Sequence, residues 1–172
     1  MKKILLLMIA LMLKINVFSQ ATYTSQADGN WGSSGTWTVT SGADSPDDGI
    51  PDSNDDVIIN HSVTVLTSQA ANTVDNNFAS GKILTLSGDL GLLTVTGNFT
   101  NDNGAVLITG GSASDPATLT INGNFQQEGE FTINAGQRLV MGASSTITAK
   151  NPIVIKSSSS SYGSMYLYST FT

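Results

Sequence analysis

No cysteine occurs in this chain, and only one histidine, His61. The first absence excludes a disulfide framework, a thiolate zinc site, a cysteine nucleophile and a lipidated cysteine. The second leaves one imidazole, too few for a histidine zinc or copper site and a single base for any Ser-His-Asp triad. Charge is scarce as well: 12% of residues are charged, and 13 Asp+Glu outnumber 7 Lys+Arg. The resulting −6 argues against a nucleic-acid partner, because phosphates need clustered Lys and Arg. Aromatics make up 7%, so apolar content comes mainly from Val, Ile, Leu and Ala among many Ser, Thr, Asn and Gly. With 40% hydrophobic residues a core can form, and disorder is a poor fit. The length of 172 residues suits one domain, or two small ones.

Residues 1–19 read as an address. Lys2 and Lys3 precede an apolar run from Ile4 to Leu13, and Lys14 closes it. Ten residues are too few to span a bilayer, and Val17-Phe18-Ser19 offers a small residue for signal peptidase. A secretory signal peptide cleaved after Ser19 is expected, with export to the outside or to the cell surface. Losing Lys2, Lys3 and Lys14 leaves Lys82, Arg138, Lys150 and Lys156 against 13 acidic residues, a mature charge near −9. No later run is long and apolar enough to cross a membrane.

What remains is a pattern of short strands. Leu93-Thr94-Val95-Thr96-Gly97-Asn98-Phe99 recurs as Leu119-Thr120-Ile121-Asn122-Gly123-Asn124-Phe125, 26 residues on. Other short stretches, such as Val63 to Leu66, Ile83 to Leu86 and Glu130 to Asn134, alternate apolar residues with Thr, Asn or Ser. That period of two marks half-buried strands, and Gly, Asn and Asp punctuate the gaps. A β-sandwich needs no repetition; a right-handed parallel β-solenoid stacks coils of roughly 20 to 30 residues. The recurrence favours the solenoid. Leu93, Val95, Leu119 and Ile121 then point inward, Thr94, Thr96 and Thr120 outward, and Asn98 and Asn124 mark equivalent corners with an internal Asn ladder. Residues 20–56 form an N-terminal β cap, 57–156 the coils, and 157–172 a Ser-rich turn and a last, incomplete coil. Trp31 and Trp37 read as part of the cap, because the first coil must be covered; a sugar-stacking platform is the alternative. The last segment carries no polar cap and is a candidate for self-association.

Gly29-Asn30-Trp31, Gly35-Thr36-Trp37, Gly49-Ile50-Pro51-Asp52 and Asn54-Asp55-Asp56-Val57-Ile58-Ile59, leading into Val63-Thr64-Val65, carry a resemblance. They resemble the G8-like opening of secreted surface proteins of the Bacteroidota. The repeats at 93–101 and 119–127 are similar to the β-helix coils that follow it, and Val154-Ile155-Lys156-Ser157 to a rung late in such arrays. The resemblance implies export, a β-helix and a role in surface attachment or display. Members usually continue into further domains and a type IX sorting domain, so a longer parent protein is expected.

The densest chemistry lies between Asp44 and Asp56, where six of the 13 acidic residues stand in one short stretch: Asp44, Asp47, Asp48, Asp52, Asp55 and Asp56. On a calcium-loop template Asp44, Asp48, the Ile50 carbonyl, Asp52 and Asp55 take ligand positions, with Gly49 at the turn. The stretch also resembles thrombospondin type 3-like calcium repeats. Pro46 stands where a ligand belongs and no Glu closes the loop, so a solvated acidic linker is the competing reading. A glycan site would need Trp31, Trp37, Tyr162, Tyr166 or Tyr168 to converge. Thr94/Thr96, Thr118/Thr120 and Thr146/Thr148 pose a further alternative, a Thr array for ice. Catalysis has little support: few bases, one His, and acids mostly in turns. The expectation is a non-catalytic structural or adhesive surface module, with calcium as candidate cofactor and a surface glycan or protein as partner. The alternative is a carbohydrate-binding or carbohydrate-active β-helix.

Overall fold

The computed structural model describes residues 20–44, 48–77, 81–112, 114–157 and, as backbone only, 164–167. The expected signal peptide, Tyr162 and Tyr168 lie outside the described residues, and Tyr166 is described as backbone alone. The opening comprises β1 (Thr22–Ser25), β2 (Gly29–Asn30), a 3-10 turn at Ser34–Thr36, and β3 (Trp37–Ser41). Coils of three strands follow: β4 (Asp56–Ile58), β5 (Val63–Val65) and β6 (Gln69–Ala71); then β7 (Thr73–Asn76), β8 (Ile83–Ser87) and β9 (Leu92–Val95). The third coil is β10 (Phe99–Asn101), β11 (Ala105–Thr109) and β12 (Thr118–Ile121), and the fourth β13 (Phe125–Gln127), β14 (Glu130–Ile133) and β15 (Arg138–Met141). The closing strands are β16 (Ile147–Ala149), β17 (Ile153–Ile155) and β18 (Ser164–Leu167).

Every third strand pairs, giving sheets ordered β16-β13-β10-β7-β4-β1-β3, β17-β14-β11-β8-β5-β2 and β18-β15-β12-β9-β6. All pairs are parallel except β1–β3. This is a three-sided parallel β-solenoid of about four turns with an antiparallel opening, as the recurrence predicts. The 26-residue repeat is the pairing register itself: Leu93 faces Leu119, Thr94 faces Thr120, Val95 faces Ile121 and Phe99 faces Phe125. No helix among the described residues is long and apolar enough to cross a membrane.

Alternation puts one side of each strand indoors. Val57, Val74, Phe99 and Phe125 stack along one wall, Leu93, Leu119 and Leu139 along another, all buried. Phe125 meets Phe99 edge-on at 5.5 Å and Phe131 at 5.2 Å. Gly123 explains the glycine of the repeat. Its N–H donates to the Gly97 carbonyl at 2.9 Å, and a Cβ there would lie 2.3 Å from that same oxygen.

The internal amide ladder exists, but not where the repeat suggests it. Asn98 and Asn124 are exposed corner residues; the Asn98 Oδ1 accepts from the Asn124 backbone N–H at 2.9 Å, and the Asn124 Oδ1 from the Thr146 hydroxyl at 2.9 Å. The buried ladder is Asn76–Asn101–Gln127, all with no solvent exposure. Asn76 Nδ2 donates to Asn101 Oδ1 at 2.6 Å, Asn101 Nδ2 to Gln127 Oε1 at 2.9 Å, and Gln127 Nε2 to the Gly129 carbonyl at 2.6 Å. The corner amides are exposed and serve the turns, whereas the strand amides are shut from solvent and are met by one another and by the Gly129 and Glu130 carbonyls.

The Trp residues form the cap. Trp31 is fully buried and Trp37 nearly so, their rings meeting at 5.0 Å and 67°. Trp37 Nε1 donates to the Trp31 carbonyl at 2.7 Å. Neither ring presents a face to solvent: the fold places Trp31 and Trp37, the residues of the sugar-stacking alternative, inside the cap. The Thr residues considered for ice do not fall in one rank. Thr94 and Thr120 align on one sheet between Ala70 and Val140, while Thr118 sits between Leu92 and Arg138 and Thr148 lies on a different sheet beside Gln126.

Candidate functional site

The acidic corner is built where the chain leaves β3 and enters β4. Gly42, at φ 77°, makes the exit; a Cβ on it would lie 2.2 Å from the Gln20 carbonyl oxygen. The incoming end is fixed by Asp55, which is 1% exposed. Its Oδ1 accepts from the Ala21 N–H at 3.0 Å and its Oδ2 from the Asp52 N–H at 2.9 Å. Asp55 therefore ties the first strand to the first full coil. Asp44 receives the Tyr23 hydroxyl at 2.5 Å. Burial, then Asp44 itself, pushes the Tyr23 hydroxyl far above its ordinary range, so it remains a donor at any physiological pH.

Carboxylate oxygens of Asp44, Asp52 and Asp55 lie within 4.8 Å of one another. Burial raises the proton affinity of Asp55 despite its two backbone donors, and the neighbouring Asp52 and Asp44 charges raise it further. Three carboxylates at this spacing could hold a metal ion, whose charge would relieve both penalties. Of the five positions on the calcium template, the fold thus clusters Asp44, Asp52 and Asp55. Asp48 stands apart, its Oδ1 accepting from the Ile50 N–H at 2.8 Å. The Ile50 side chain packs on the core. Asp48 and Asp52 also line a groove of about 560 Å³ with Ser53, Thr67, Gln69 and Thr94. Asp56 belongs to the framework: it accepts from Gln20, Asn72 and Thr73 at 2.7, 3.0 and 2.6 Å.

His61 sits at a bend, as its sequence context suggests. Its Nδ1 is 2.8 Å from the Ser25 carbonyl oxygen, an acceptor only, so Nδ1 carries the proton. Ser25 Oγ accepts from the Asn60 and His61 backbone N–H groups at 2.8 and 3.0 Å. Ser25 Oγ also lies 3.3 Å from His61 Nδ1, and the pair braces β1 against the turn after β4.

The buried ladder and the Ser25 brace are the elements that sequence reasoning missed. A signal for the ladder was present: Asn101 and Gln127 stand two residues after Phe99 and Phe125, so alternation turns them to the same inner face. Comparison with protein-family profiles, curated proteins and solved structures finds no match to this chain, so the β-solenoid is what the structure establishes and no family is assigned.

Proposed function

We propose that this chain is an exported, non-catalytic structural or adhesive module of a cell surface, as its resemblance to G8-like Bacteroidota surface proteins suggests. The observation that carries the reading is the chemistry of the outward ranks. One runs Asn30, Thr64, Thr85, Leu107, Thr132, Val154; another runs Ala70, Thr94, Thr120, Val140. These are flat, uncharged strand faces on a rigid stack, suited to contact and display. Protease shaving of intact cells tests it: the protein should be released from the surface fraction, and retention in the cytosol would refute the reading.

The Asp44–Asp52–Asp55 corner is the proposed calcium site, stiffening the entrance to the first coil. Its support is the carboxylate spacing and the raised proton affinity of Asp55. Millimolar calcium should raise the melting temperature by several degrees relative to chelator, since saturating a site about 100-fold above its Kd contributes about 2.7 kcal/mol. Asp44→Asn should abolish the difference. Coincident melting curves would remove calcium from the account.

The groove beside Asp48 and Asp52 favours a second reading, carbohydrate binding, because paired carboxylates and hydroxyls suit a polyol. A glycan array showing no binding would dismiss it.

A further inference from the structure

Two Asn-Gly pairs occur in the sequence, Asn103-Gly104 and Asn122-Gly123, and both asparagines are exposed at solenoid corners. This dipeptide has an intrinsic chemistry. The glycine nitrogen, once it loses its proton, attacks the Cγ carbonyl of the preceding asparagine. A C–N bond closes a five-membered succinimide, and the side-chain nitrogen leaves as ammonia. Water then opens the ring at either carbonyl, giving aspartate or isoaspartate. Glycine favours the step because its backbone turns freely and no Cβ crowds the attacking nitrogen. The Asn-Gly peptide must also rotate until that nitrogen faces its own side chain, so whatever holds the peptide plane opposes the reaction.

The fold holds the two pairs differently. At 122–123 both polar ends of the peptide are clamped. The Gly123 N–H donates to the Gly97 carbonyl at 2.9 Å, and the Asn122 carbonyl accepts from the buried Ser145 hydroxyl at 2.9 Å. The Gly97 backbone lies directly against Gly123, 2.3 Å from where a Cβ would stand.

The corner at 102–104 carries slack. Asn101 pairs with Gln127 and Ala105 with Glu130. Asp102, Asn103 and Gly104 therefore cover the distance that Glu128 and Gly129 alone cover in the next coil. The surplus residue is taken up as a bend. Bonds from this corner to the preceding coil are long: Asp102 N–H reaches the Asn76 carbonyl at 3.3 Å and Ala105 N–H the Lys82 carbonyl at 3.2 Å. The N–H groups of Glu128 and Gly129 meet the Asn101 carbonyl at 2.8 and 2.9 Å.

We infer that Asn103 is a self-modifying site, converting to aspartate and isoaspartate in the folded protein, while the fold protects Asn122. The product gains a negative charge beside Asp102. Its isoaspartyl form lengthens a backbone that already has slack, so the stack accommodates it. This inference is independent of the surface role.

Incubating the purified protein in mildly alkaline buffer tests it, with tandem mass spectrometry placing each amide-to-acid shift at its residue. In the folded protein Asn103 should convert at least about tenfold faster than Asn122, whose peptide must first shed two hydrogen bonds. In urea the two should convert at similar rates, because the clamp is gone. Asn103→Gln should remove the acidic species that accumulates in the folded wild type. Equal rates in the folded protein, faster conversion at Asn122, or an unchanged Asn103 while the unfolded chain converts at both positions would each overturn the inference and leave the proposed surface role standing.

Discussion

Asn101 joins both neighbours in the buried amide ladder. Replacing it by Ala removes the partner of Asn76 Nδ2 and of Gln127 Oε1 inside a dry core. Each orphaned group costs about 1–3 kcal/mol, so Asn101→Ala should destabilise by about 2–5 kcal/mol in urea unfolding. A loss below about 0.5 kcal/mol would show that the ladder contributes nothing. Asp75 works in the other direction. Its Oδ1 is buried without a partner, and burial, with the charge of Asp102, raises its proton affinity above the ordinary value of 3.8. The folded state then binds the proton more tightly than the unfolded chain. Stability from this group is greatest below 3.8 and declines as pH rises through the folded value. Asp75→Asn should raise the melting temperature at pH 7 by roughly 1–3 °C, and the gain should vanish in acid. An equal gain at all pH values would contradict the assignment. Asp28 and Glu128, held low by hydrogen bonds from Lys82 and Lys150, titrate with the opposite sign.

Strands and corners show why some of the fold was legible in the sequence. The copies at 93–99 and 119–125 stand at constant spacing because both corners need the same glycine contact and the same Leu, Val or Ile, and Phe positions indoors. Gly123→Ala should therefore cost at least about 1–3 kcal/mol, read by thermal unfolding; an unchanged midpoint would mean that the corner relaxes freely. Phe125→Ala, which empties the centre of the Phe99–Phe125–Phe131 contact, should cost about 3–5 kcal/mol. Elsewhere the spacing drifts: Val57 pairs with Val74, and Phe125 with Ile147. Corners of unequal length break the period, so those pairings could not be read from the repeat. The ladder escaped because its members differ in type and lie inside strands, whereas the repeated Asn98 and Asn124 drew attention to the corners. The acidic run revealed its composition but not its geometry: which three carboxylates converge depends on Asp55 being drawn inward by Ala21 and Asp52.

For the whole molecule, stacking coils turns a chain poor in charge and aromatics into a rod. It is closed at an acidic opening and leaves Val154 and Ile155 exposed towards the end that carries Lys150 and Lys156. Its three faces are set by register, and everything proposed for the surface depends on that register. The absence of cysteine makes it directly measurable. Cysteines placed at Ala70, Thr94, Thr120 and Val140, one outward rank on four successive coils, can carry nitroxide labels in pairs. Neighbouring strands lie about 4.8 Å apart. The 94–120 pair should therefore show strong short-range dipolar broadening, the 94–140 pair a backbone separation of about 10 Å, and the 70–140 pair about 14 Å. Separations that grow by one strand spacing per coil would establish the stack. A 94–120 pair without short-range coupling, or separations that do not follow coil number, would contradict it.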